Sequence, residues 1–221
     1  MSTSARLAPL SGVAGIVLFD VGWFWDPAAP FVSDGRLATW YATHPDGPWL
    51  AAAALTMLAA PFFLVFAGAV RDRLAAAGAS VRTQRLVHGA GKGFGIAVLV
   101  FGAVYAAVPA ARTFTSVGAP SGDVSRFAGS AEFAVWMLLS TALVAAFAVG
   151  LAASSFASRA VPRWLGVVVL VLLVPVLANP VLPMAGITLL FLVTSITLTV
   201  RQLRVPAVTE HSAPREPVAV S

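Results

Sequence analysis

Cysteine is absent from the 221 residues, which excludes disulfides, thiolate metal centres, iron–sulfur clusters and thiol nucleophiles together. Charge is scarce as well. Only 10% of positions are Asp, Glu, Lys or Arg, where a water-soluble domain carries about a quarter. Lysine is nearly missing: Lys92 stands alone beside thirteen arginines, a bias that, with abundant alanine, fits a GC-rich bacterial genome. No Gly-x-Ser-x-Gly or His-Glu-x-x-His pattern occurs, so the common hydrolase mechanisms have no anchor. What fills the chain instead is apolar side chain, 59% of residues, with a mean hydropathy of +0.89. Too few polar groups remain to wet the surface of a soluble fold, and the rest of that surface requires lipid.

Six apolar segments are long enough to serve as crossings, at about 10–25, 49–70, 86–110, 131–153, 164–178 and 181–200. The last two share one stretch that Asn179, Pro180 and Pro183 interrupt, which reads as a helical hairpin. The expected fold is therefore an all-α, polytopic bundle of six transmembrane helices over residues 1–204, followed by a disordered cytoplasmic tail, 205–221, that lacks periodicity. Cytoplasmic loops retain positive charge. With the N-terminus inside, eleven of the fourteen basic residues fall on the inner side and only Arg36, Arg112 and Arg126 outside. That predicts N-in, C-in insertion in a bacterial cell (inner) membrane. The first segment ends in Trp23, Phe24, Trp25 and Asp26 without a small-residue cleavage site, so it reads as a retained anchor.

Trp23, Trp25, Trp40, Tyr41 and Trp49 map to the outer boundary, where aromatic rings rest among headgroups. Between Ser33 and His44, a short helix carrying Leu37, Trp40, Tyr41 and His44 would lie on the membrane or form a lid. A second outer loop, 111–130, leads through Gly118, Pro120 and Gly122 to Asp123, which could cap the fourth helix. Pro61 and Pro175 should kink the second and fifth helices.

Ionisable groups inside membrane helices are costly and therefore stand out. Asp20, Arg112 and Glu132 map near one outer level and form a candidate polar cluster, either a structural ion pair or a vestibule taking up a proton or cation. At the opposite face Arg82, Arg85, His88 and Lys92 form a candidate stripe for anionic lipid headgroups or phosphate, since 85, 88 and 92 share one side of a helix. Cationic side chains placed there also snorkel without binding anything specific. The glycine-rich run around Lys92 is not a nucleotide loop: position 87 is Val and Gly93 follows the lysine, where a phosphate-binding loop needs glycine and a hydroxyl. Gly91 and Gly95, and on the first helix Ala8, Gly12, Gly15 and Gly22, instead read as helix-packing stripes. His44, His88 and His211 fall at three different places, which disfavours haem, and His44 with Asp34 and Asp46 makes only a weak metal set. No cofactor is implied, and cations sorted by topology rather than gathered on one tail do not suit nucleic acid.

Taken with Trp40, Tyr41, Ala42, His44 and Pro45 in the first outer loop, the Pro162, Arg163, Trp164, Leu165, Gly166 entry to the fifth helix and an apolar last helix ending at Arg201, the chain resembles the uncharacterised six-helix integral membrane proteins of actinobacteria. The resemblance implies the architecture and no activity. Three functions remain open. A non-enzymatic structural or accessory protein would act through glycine-lined helices on a membrane-protein partner or a second copy. A transporter or permease would use the outer polar cavity for a small polar or cationic solute. An enzyme acting on lipid headgroups lacks a nucleophile and ranks last.

Overall fold

The computed structural model describes residues 7–25, 34–115, 118, 120–158, 161–178 and 183–204. The expected tail and the turn residues Asn179 and Pro180 lie outside them. Among the described residues every regular element is a helix. A 3-10 turn, Ala8–Leu10, opens α1 (Ser11–Trp25); then come the short α2 (Asp34–Thr43), α3 (Asp46–Ala76), α4 (Val81–Phe114) and α5 (Gly122–Ala134). A π-helical segment, Val135–Ser140, joins α5 to α6 (Thr141–Ala157) in one rod, and α7 (Arg163–Ala178) and α8 (Pro183–Arg204) follow.

Five of these helical rods are long and apolar enough to cross a membrane. The sixth, α7, has 16 residues and reaches about 24 Å, short of a ~30 Å hydrocarbon core. Most of the rods run past the apolar segments read from sequence, because a helix continues into the headgroup layer after its apolar run has ended. Large apolar side chains such as Leu58, Val65, Ile96, Val149, Val171 and Ile196 are exposed on the outside, as a lipid-facing surface requires.

Local signals set the ends. Gly78 adopts φ +72°; its N–H bonds Ala75 O at 3.0 Å and the N–H of Ala79 bonds Leu74 O at 3.0 Å. This left-handed closure ends α3. Ser80 then caps α4 by accepting from Thr83 N at 3.2 Å. At α5 the cap is Ser121, which accepts from Val124 N at 3.4 Å. The expected cap, Asp123, lies inside the first turn and pairs with Arg126 at 2.6 Å. Pro61 and Pro175, expected to kink their helices, sit inside continuous α3 and α7, as Pro109 does in α4.

The six rods close a ring in the order α1, α3, α4, α5–α6, α7, α8 and back to α1. Neighbours run antiparallel. Gly22 faces Ala52 and Thr56 while Gly12 faces Phe66; Gly102 faces Ala53 while Gly91 faces Ala67. The described bundle thus begins and ends at the same end, the one holding Arg73, Arg82, Arg163 and Arg201; the opposite end holds Trp25, Trp40 and Trp49. Phe63, Phe66, Phe94, Phe147 and Phe191 meet around the axis with ring centroids 4.9–6.0 Å apart. Towards the tryptophan end a second layer packs Phe19, Trp23, Phe101 and Trp136 at 5.0–6.4 Å.

Candidate functional site

The π segment has a visible packing role. Ser140 Oγ donates to Val135 O, five residues back, at 3.2 Å, and both Trp136 and Ser140 are buried. Trp136 stacks on Phe19 at 5.0 Å and touches Trp23 at 5.3 Å. Wider turns of this kind commonly accompany functional sites. Nothing in the residue pattern of 135–140 announces one.

This aromatic layer separates the two carboxylates of the expected cluster. Asp20 lies three residues before Trp23 on α1, about 4.5 Å towards the arginine end. Glu132 lies four residues before Trp136 on the opposed rod, about 6 Å towards the tryptophan end. Asp20 is held by Thr188 of the adjacent α8, whose hydroxyl lies 3.0 Å from both carboxylate oxygens. Glu132 is partly buried and makes no hydrogen bond or ion pair among the described residues. Arg112 sits higher still, eleven residues beyond Phe101, and pairs with Asp46 at the start of α3 at 3.0 Å.

No hydrogen bond or ion pair joins any two of Asp20, Arg112 and Glu132. Their similar position relative to the ends of their apolar segments concealed offsets of several residues, and each residue of offset is about 1.5 Å along a helix. Asp46 and Thr188 are the partners that sequence reasoning missed. Asp46 was visible as the only acid at the start of the second apolar segment. Thr188 carried no signal.

At the arginine end the expected stripe lies along the first turns of α4. Arg82, Arg85 and Lys92 are exposed, whereas His88 is half-buried and turned onto α3, its Nδ1 3.3 Å from Ala67 O. The histidine therefore secures the helix pair while the three cations face outward. Nearby, Arg73 Nε and Gln202 Oε1 are buried without a hydrogen-bond partner among the described residues.

His44 is engaged at the end of α2. Its Nδ1 lies 2.9 Å from Trp40 O and its ring stacks on Trp40 at 4.4 Å. Trp40 meets Trp49 edge-on at 5.4 Å, and Trp49 in turn meets Tyr105 at 5.7 Å. This aromatic chain fastens α2 over α3 and α4. Among the described residues no three His, Asp or Glu side chains gather as a metal site would require. Compared with family models, with curated proteins and with solved structures, the chain matches none.

Proposed function

We propose that the protein is a non-enzymatic integral membrane protein that acts as a structural or accessory component of a bacterial cytoplasmic membrane. The observation that carries this reading is the filled axis: two layers of aromatic rings occupy the centre of the bundle. The buried polar groups beside them are hydroxyls, Ser140, Thr194 and Ser195 among them, and Asp20 is bonded to its neighbour Thr188. The glycine stripes are not the contact surface for a partner, because Gly12, Gly15, Gly22, Gly91 and Gly95 all pack inside the bundle. Contact with a partner or a second copy falls to the outer apolar faces, and Arg82, Arg85 and Lys92 suit anionic headgroups. The N-in, C-in orientation and membership of the actinobacterial six-helix proteins belong to the same reading; the segregation of arginines supports the first.

The test is flux through proteoliposomes of the purified chain under imposed proton and potassium gradients. The expected result is leakage equal to that of empty vesicles. A specific observation favours a second reading, transport: Asp20 and Glu132 lie on opposite sides of the Trp23–Trp136 contact, as two stations of a carrier would. Flux that Asp20→Asn or Glu132→Gln abolishes at unchanged protein level would replace the first reading with the second.

A further inference from the structure

A groove of about 610 Å³ runs along the outside of the bundle between the second half of α4 and α5. One stripe of α4, recurring at helical spacing from Val100 to Ala111, forms one wall, and Val124, Phe127, Ala128 and Ala131 form the other. Alanine and valine alternate along the α4 wall, and Val124 and Phe127 stand beside Ala128 and Ala131 on the other, so short side chains leave the space between the two helices unfilled. Its lining is apolar apart from one charged residue, Arg112, at the end nearest the tryptophans.

We propose that this groove seats one acyl chain of a phospholipid, with the lipid phosphate against Arg112. Three features select that occupant. The flanking helices both belong to rods long and apolar enough to cross a membrane, and α5 extends from the apolar segment into the headgroup layer, so the groove spans the boundary between acyl chains and headgroups. From Val100 to Ala111 the groove runs about 16 Å along the helix, the depth of one leaflet of a ~30 Å core. Its cation stands at the headgroup end and its apolar floor reaches towards the bilayer centre, the polarity order of a phospholipid. Arg112 is engaged by Asp46 at 3.0 Å, which fixes its position; a guanidinium carries five N–H donors and can serve a carboxylate and a phosphate together.

Native mass spectrometry of the full chain tests this, with the protein progressively delipidated and then titrated with phosphatidylglycerol. The expected result is one phospholipid retained per chain by wild type and by Val171→Trp, which alters an exposed face of α7, and binding weakened at least about tenfold in Ala107→Trp, which fills the groove. Arg112→Gln should weaken phosphatidylglycerol while leaving uncharged diacylglycerol unaffected. Because the chain has no native thiol, Ala107→Cys gives a readout free of the bulky substitution: added phosphatidylglycerol should slow its reaction with N-ethylmaleimide and leave Val171→Cys unchanged. Equal retention in Ala107→Trp, equal labelling of both cysteines, a free fatty acid held in preference to phospholipid, or a dimer that Ala107→Trp dissociates would each overturn the proposal.

Discussion

Gly89 and Gly91 stand two positions apart on α4 and meet opposite surroundings. A Cβ on Gly91 would lie 2.8 Å from the Cβ of Ala67, whereas one on Gly89 would meet nothing within 4 Å. Gly91→Ala should therefore destabilise the bundle by about 1–3 kcal/mol through overpacking. Gly89→Ala should be neutral or stabilising by up to about 1 kcal/mol, since alanine is the better helix former. Thermal unfolding of both variants in one detergent checks the difference in sign. Glycine content alone did not separate the two positions; the neighbouring helix does. Trp136 offers a second contrast. It is buried in ring contact with Phe19, Trp23 and Phe101, so Trp136→Ala should lose about 3–5 kcal/mol. Trp136→Phe should lose less, because it keeps an aromatic ring in the layer. Chemical unfolding followed by circular dichroism measures both.

At the scale of the element, the α3–α4 hairpin depends on a four-residue passage from Ala77 to Ser80. Gly78 occupies left-handed space at φ +72°, which costs an L side chain roughly 1–2 kcal/mol. Ser80 supplies a cap worth about 1 kcal/mol. Gly78→Val and Ser80→Ala should both lower the unfolding temperature, the first by more, with no change in helix content at room temperature. The helices themselves were legible as apolar runs, because a segment that must satisfy its backbone inside lipid has little alternative to the helix. Their ends were less legible. Ser121 and Asp123 are both competent caps two residues apart, and only the extended backbone at Ser121, φ −61° and ψ 158°, shows which one serves. The π segment was not legible at all, since residues 135–140 compose an ordinary apolar run and the wider turn is held by Trp136 packing into the layer.

For the whole molecule, the antiparallel ring brings the two ends of the described bundle to one face, the arginine face. Reporter fusions at the two termini should therefore signal from the same side, which in the proposed orientation is the cytosol. Fusions reporting from opposite sides would contradict both the ring and the charge sorting.

Composition and hydropathy determined that this protein is a membrane-crossing all-α bundle, because so apolar a chain has nowhere else to bury its surface. Charge placement supports only the proposed orientation, on the separate ground that cations are retained on the cytoplasmic side. Which polar groups meet was decided by tertiary structure alone. A helix lowers or raises each side chain by about 1.5 Å per residue, so Asp20, Glu132 and Arg112, adjacent in a diagram of loops and spans, come to rest at three depths. Asp20 then finds Thr188 and Arg112 finds Asp46, partners that only the closing of the ring brings within reach.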